Sequence, residues 1–332
     1  RLLDVVVRSS GETNIGTYIN ATTGTGDAPL VIIGIDASGA NVRGSNYVDV
    51  VTGSDNADTV NGNGGNDLIY GGAGNDSLEG GNDSDLVYGG EGNDSLSGGN
   101  ANDTIYGDAG DDTISGGNHE DLIYGGAGND SIQAGNDNDT VYGGDGNDFI
   151  SGGNGDDILY GDAGNDTLEG STGTDTLYGG DGNDHLKMGQ VIYGGAGDDL
   201  IDSGSNTIYG DAGIDTIDFY FGTANYQIGV GSVSREPSPG QVTTTTFEGI
   251  EIGRFGSERV YFVGNGSELS LQDAINLAAE GETIVVGAGT YTGDIILNKR
   301  LNIIGANAGV AADGERGPEA SLTGSFQVMD AA

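Results

Sequence analysis

The sequence predicts an all-β fold: a parallel β-roll solenoid with two nine-residue units, eighteen residues, per coil, followed by the beginning of a second β-solenoid with a short capping helix. Three observations predict it. An aspartate falls on every ninth residue from Asp49 to Asp184, sixteen in a row. An aliphatic residue stands two places after each, and a tyrosine follows every second aliphatic, eighteen residues apart. A fixed period of this kind dictates a solenoid, because each unit buries its apolar side chain only by stacking on its neighbours.

Residues 1–43 precede the register. Ile35 to Arg43 keeps an aliphatic at Val42 but has Ala40 where an aspartate is expected, so the chain should open on an entry coil without the acidic turn, fed by strands near Leu2 to Val7 and Leu30 to Ile35.

The repeat occupies residues 44–218. Its unit reads G-G-x-G-x-D-x-U-x, with U aliphatic, and runs from Gly44 to Lys187. Two more full units, Gly194 to Asp202 and Gly210 to Asp218, follow the shortened stretches Met188 to Tyr193 and Ser203 to Tyr209. Six small or acidic residues and then three around an aliphatic predict a tight turn and a very short strand, with U pointing inward and its neighbours outward. The inward set, from Val51, Val60 and Ile69 to Leu177 and Leu186, makes a thin core.

Composition sets limits. Glycine is 67 of 332 residues, tryptophan and cysteine are absent, and the net charge is −42. Between Gly53 and Lys187 there are 28 acidic residues and one lysine, so the repeat should repel itself open until cations neutralise it. Nucleic acid is excluded as a partner by the sign of the charge. The longest apolar run, Ala28 to Ile35, is too short to insert across a membrane. Without cysteine there is no disulfide framework, and the fold must be stapled by something else.

The turns supply the staple. Glycines permit positive φ, which brings carbonyl oxygens such as those of Gly72, Gly74, Gly90, Gly92, Gly126, Gly128, Gly144, Gly146, Gly180 and Gly182 toward the gap between one coil and the next. Negative oxygens come from Asp58, Asp67, Asp76, Asp85, Asp94, Asp103, Asp112, Asp121, Asp130, Asp139, Asp148, Asp157, Asp166, Asp175, Asp184, Asp199 and Asp215. These are hard donors that suit calcium and suit zinc or copper poorly, and His119 and His185 are the only nitrogen ligands available. Turn capping is the plain alternative for the aspartates. Stacked carboxylates without cations would, however, repel.

The eighteen-residue period divides the turns into two columns. Those leading into the non-tyrosine strands all have glycine at the fourth position. Those leading into the tyrosine strands are looser: the fourth position holds Asp83, Ala101, His119 and Asp137, and the third is Asn82, Asn100, Asn118, Asn136 and Asn154 in five consecutive coils. Because asparagine tolerates positive φ, a differently shaped turn is expected there. Calcium should run continuously along the first column and fade in the second, where Gln190 and Asn206 replace aspartate.

The repeat resembles the RTX nonapeptide repeats of proteins exported by bacterial type I secretion. The resemblance implies a parallel β-roll, several calcium ions held between successive turns by carbonyls and aspartates, and folding outside the cell, in a secreted or cell-surface protein; Ala40 in place of an aspartate makes the entry coil the metal-free one.

The face carrying Tyr70, Tyr88, Tyr106, Tyr124, Tyr142, Tyr160 and Tyr178 is more apolar than its opposite. It reads as a stacked ladder or as a docking face for another copy of the chain or a cell-surface glycan. Residues 219–267 read as a β-rich closing segment, with Pro237 to Gly240 a loop and Phe247 to Phe255 strand-like. In residues 268–332, Ser270 can cap a helix over Leu271 to Ala279, and strands follow at Thr283 to Val286, Asp294 to Leu297 and Leu301 to Ile304. Leu271 to Gly305 is similar to the opening of right-handed parallel β-helix proteins. With few rungs before Ala332, the chain is expected to be part of a longer protein.

No catalytic constellation appears. The expected function is a calcium-binding structural module of a large secreted surface protein of surface-layer, adhesin or matrix type, and not an enzyme. The alternative is a secretion and folding module attached to a polysaccharide-active β-helix lyase or epimerase.

Overall fold

A computed structural model describes residues 3–4, 18–20, 30–32, 39, 41–202, 207–219, 227–229, 232–238, 241–255, 257–264, 269–287, 289–292, 295–297, 299–305, 320–323 and 326–328. Asn206 and Gly240, singled out above, lie outside the described residues. The chain forms two compact units, Arg1–Asp181 and Gly182–Ala332.

The first unit is a roll of two parallel sheets. The tyrosine sheet stacks Leu68–Ala73, Leu86–Glu91, Thr104–Ala109, Leu122–Ala127, Thr140–Asp145, Ile158–Ala163 and Thr176–Asp181 in sequence order. The opposite sheet stacks the alternate strands from Thr59–Gly64 to Thr167–Thr172. Register is eighteen residues throughout, as in Tyr106↔Tyr124 and Ser97↔Ser115. Before the repeat, Leu3–Asp4 and Leu30–Ile32 pair in parallel ahead of Val50–Thr52, and Tyr18–Asn20 pairs with Asn41–Arg43, so the solenoid begins ahead of its repeat.

Two expectations need correction. The strands are six residues long, not three, because the turn glycines also join the ladder: Gly72 pairs with Gly90 and Ala73 with Glu91. Side chains alternate along this longer strand, so two positions face inward. In Leu122–Ala127 these are Ile123 and Gly125. The aliphatic set is buried, Val51, Ile69, Ile123 and Leu177 all at 0 % exposure.

The second correction concerns the turns. From the turn at Gly62 to the turn at Gly179 both columns share one backbone, with positive φ at the second and fourth positions: Gly126 at 119° and Gly128 at 135° in one, Gly117 at 122° and His119 at 77° in the other. The third-position asparagines Asn82, Asn100, Asn118, Asn136 and Asn154 do not take the positive φ. The fourth residue takes it even where it is Asp83, Ala101, His119 or Asp137, at 71°, 81°, 77° and 73°. Each such residue costs about 1–2 kcal/mol, and the hydrogen-bonded coils above and below hold it there. The asparagines form a ladder instead. The side-chain Nδ2 of Asn100, Asn118, Asn136 and Asn154 donates to the Oδ1 of the asparagine one coil earlier at 3.0, 2.8, 2.8 and 2.7 Å. A carboxamide both donates and accepts, so it repeats along a stack as a carboxylate cannot.

In the second unit, Val191–Ala196 pairs with Thr207–Ala212, and His185–Lys187, Leu200–Asp202 and Asp215–Phe219 stack in parallel. Gln241–Glu248 then returns to lie parallel to Thr207–Ala212, paired on its other side with the antiparallel strand Ser232–Ser238. Ile250–Phe255 lies parallel to Asp215–Phe219.

The helix is Leu271–Leu277, shorter than expected, and Ser270 Oγ accepts from the Asp273 N–H at 3.1 Å. Its apolar face, Leu271, Ala274 and Ile275, packs with Tyr261, Val263, Ile284 and Val286. Thr283–Val286 joins Glu258–Val263 and Asn302–Gly305 in parallel, and two further parallel pairs follow, Gly289–Thr292 with Ala320–Thr323 and Ile295–Leu297 with Phe326–Val328.

Candidate metal centre

The repeat aspartates are buried at 0–4 % exposure. Their two carboxylate oxygens do different work. From Asp58 to Asp157, each backbone N–H whose bond is resolved donates to the Oδ1 of the aspartate one coil later at 2.7–3.0 Å, as in Asp112 to Asp130 at 2.8 Å. This is the capping role, and it uses one oxygen. The other, Oδ2, is buried without a hydrogen-bond partner in Asp67, Asp76, Asp85, Asp94, Asp103, Asp112, Asp121, Asp130, Asp139, Asp148, Asp157 and Asp175, and in the second unit in Asp199 and Asp215. A buried anionic oxygen left unsatisfied is strongly unfavourable, and capping does not explain it.

Burial away from water is the main cause of a raised carboxyl pKa here, opposed by the accepted N–H. It lifts Asp67, Asp85, Asp103, Asp112 and Asp139 to about 7, and Asp121 to about 8. Asp76, Asp148 and Asp157 reach about 6. Such carboxyls require either a proton or a cation.

The glycines make room for the cation. A Cβ on Gly71 would stand 2.3 Å from Asp76 Oδ2 and 2.4 Å from the Gly89 carbonyl oxygen of the next coil. A Cβ on Gly125 would meet Gly143 O at 2.4 Å and Asp130 Oδ2 at 2.5 Å. The first glycine of the unit therefore faces inward beside the orphaned oxygen. Second- and fourth-position carbonyls run along the stack: a Cβ on Gly90 would meet Gly72 O at 2.0 Å, one on Gly92 would meet Gly74 O at 2.1 Å, and one on Gly146 would meet Gly128 O at 1.8 Å. Gly126, Gly144 and Gly180 repeat the positive φ of Gly72, at 119°, 114° and 118°, and Gly182 that of Gly74, at 135°. Among the described residues no three acidic or histidine side chains converge on one point. Carbonyls must therefore supply most of the six to eight oxygens that calcium takes. The donor set, the cradle and the unsatisfied oxygen all fit calcium.

Asp58 differs from the aspartates that follow. Ser54 donates its backbone N–H and its hydroxyl to Asp58 Oδ2 at 2.7 and 3.0 Å, and Ser45 does the same for Asp49. In these two turns the second-position serine satisfies the oxygen that a cation would otherwise take, whereas Ser171, at the same position but with φ 76°, leaves Asp175 Oδ2 without a partner. A second ladder also escaped the sequence reading. Asn75, Asn93, Asp111, Asn129 and Asn147, each just before the repeat aspartate, accept the backbone N–H one coil later at 2.7–3.1 Å. Gln190 is exposed. His119 and His185 approach Asp137 and Asp202, at 3.6 and 3.4 Å, and neither aspartate belongs to the nine-residue series.

Ala134 is the one departure from glycine at the first position of the sixteen continuous units, and it is fully buried. By the register of the repeat its methyl points toward Asp139, as a Cβ on Gly125 would toward Asp130 Oδ2 and one on Gly143 toward Asp148 Oδ2. Ala134→Gly is expected to raise calcium affinity at that gap by roughly tenfold, the 1.4 kcal/mol of one relieved contact. Calorimetric titration showing an unchanged isotherm would contradict this.

The family model for the RTX calcium-binding nonapeptide repeat (4 copies) matches residues 43–78, 79–114, 97–132, 115–150, 133–168, 151–186, 191–206 and 202–218. No curated protein matches the chain. The matched residues make up more than half of the chain, and their glycine cradles and half-satisfied aspartates are those of a calcium-binding module of the kind carried by type I secreted proteins; the chain belongs to the RTX calcium-binding nonapeptide repeat family.

Proposed function

We propose that the chain is a calcium-stapled structural module of a secreted bacterial surface protein, of surface-layer, adhesin or matrix type, that folds on meeting extracellular calcium and does no catalysis. The observation that carries this is the column of buried aspartates, in which Asp67 to Asp157, Asp175, Asp199 and Asp215 each keep one oxygen unsatisfied, in a chain of net charge −42. Calcium enters between coils through Oδ2 of Asp67 to Asp175 in the first unit and of Asp199 and Asp215 in the second. Among the described residues no helix is long and apolar enough to cross a membrane.

The tyrosine face is the surface offered to a partner. From Tyr70 to Tyr178 the rings stack at 4.7–4.9 Å with interplanar angles of 2–10°. A sugar docks on an aromatic face, and these faces are covered by their neighbours. What remains outward is a row of hydroxyl-bearing edges, which favours another copy of the chain over a glycan. Sedimentation of the full chain is expected to show association in millimolar calcium that weakens at least tenfold in a Tyr106→Ser, Tyr124→Ser, Tyr142→Ser variant of unchanged circular dichroism. A chain that stays monomeric at high concentration in calcium would sink the assembly reading.

A further inference from the structure

The repeats end at Asp218, but the carboxylate column continues. In the second unit the Asp184 N–H donates to Asp199 Oδ1 at 2.8 Å, the Asp199 N–H to Asp215 Oδ1 at 2.9 Å, and the Asp215 N–H to Glu251 Oε2 at 2.8 Å. Glu251 stands thirty-six residues beyond Asp215. It therefore takes the place that the next repeat aspartate would have filled.

A bulge brings it there. Ile250–Phe255 pairs in parallel with Asp215–Phe219, yet Asp215 opposes Ile250 while Thr216 opposes Ile252, leaving Glu251 as the extra residue. A bulge re-aims a side chain. Ile250 and Glu251 are consequently buried in succession, at 2 % and 0 % exposure, where strand alternation would have exposed one of them.

The first-position carbonyl of the cradle is reproduced. A Cβ on Gly210 would stand 2.3 Å from the Gly249 carbonyl oxygen and 2.4 Å from Asp215 Oδ2. A Cβ on Gly125 would meet Gly143 O and Asp130 Oδ2 inside the repeats at 2.4 and 2.5 Å. The Gly249 carbonyl thus stands where the first-glycine carbonyl of a next coil would stand, although Gly249 itself has φ 69°, unlike the first glycines of the repeat. Asp215 is fully buried, and its Oδ2 has no hydrogen-bond partner.

We propose that Asp215, Glu251 and the Gly249 carbonyl bound one further calcium site, closed by a residue outside the repeats, which ties the returning strand to the last coil. The inference rests on reading the coil gaps as calcium sites, and the test separates the two. Bound calcium is counted by equilibrium dialysis of the full chain at saturating calcium, for the wild type, Glu251→Gln, Glu251→Asp and the interior variant Asp130→Asn. Glu251→Gln is expected to bind one calcium fewer. Glu251→Asp should keep the number but hold one ion at least tenfold more weakly, and Asp130→Asn should lose at least one. A wild-type count for Glu251→Gln beside a reduced count for Asp130→Asn overturns this site alone. An unchanged count for Asp130→Asn overturns the calcium reading of the coils and this site with it. Should Glu251→Gln fail to fold in calcium, Glu251→Asp decides: wild-type number and affinity at every site overturn the proposal.

Discussion

Chelation is expected to abolish the β-structure of the roll, and millimolar calcium to restore it. Each coil offers only one aliphatic side chain per nine residues, such as Ile123 and Ile132, and the strands between them are largely glycine, serine and threonine. The backbone entropy of those residues is high, and the buried apolar area is too small to offset it. Against the fold stand the carboxylates, buried a coil apart with unsatisfied oxygens. Each calcium bound to the folded chain alone adds about 0.4–1.4 kcal/mol at a free concentration one- to tenfold its dissociation constant. Extracellular calcium modules have constants of about 0.1–1 mM, so the supply outside a cell suffices and the cytosolic supply does not. Summed over successive gaps, binding free energy becomes folding free energy. Far-ultraviolet circular dichroism should lose its β signal in chelator, regain it cooperatively in calcium, and be accompanied by a fall in Stokes radius. A spectrum indifferent to chelator would refute the account.

The period made the fold legible. The side-chain alternation around U fixed which residues face inward, and the eighteen-residue tyrosine spacing fixed two strands per coil; both hold at every described coil of the first unit's repeat. The turns were less legible. Asn118 is a residue that favours positive φ locally, yet His119 takes it, because neighbouring coils impose their backbone on each turn and local preference yields. Nine-residue arithmetic also could not anticipate Glu251, since the residue reaches its column through a bulge after an excursion of the chain. Ser45 and Ser54 were not distinguishable by residue type from Ser171. All three replace the second glycine, but Ser171 takes positive φ and leaves Asp175 Oδ2 without a partner, while Ser45 and Ser54 turn their N–H and hydroxyl to the carboxylate.

Acid should act in opposite directions on the calcium-free and calcium-loaded chain. In the calcium-free roll, burial raises the carboxyls of Asp67, Asp103, Asp112 and Asp139 to about 7 and that of Asp121 to about 8, whereas an unfolded aspartate titrates at about 3.9. The folded state then binds more protons than the unfolded state between about pH 4 and pH 8, and stability falls as pH rises through that window. These groups contribute most at or below their unfolded pKa, and their contribution is gone above about pH 8. Calcium reverses the dependence, because it binds only ionised carboxylates and must displace those protons. Calcium-depleted protein is therefore expected to gain β signal on acidification from pH 8 to pH 5. Over the same range the calcium concentration for half-folding should rise at least tenfold. Both curves come from one set of dichroism titrations, and a calcium-free chain equally unfolded at pH 5 and pH 8 would show that the buried oxygens are not the groups that hold it open.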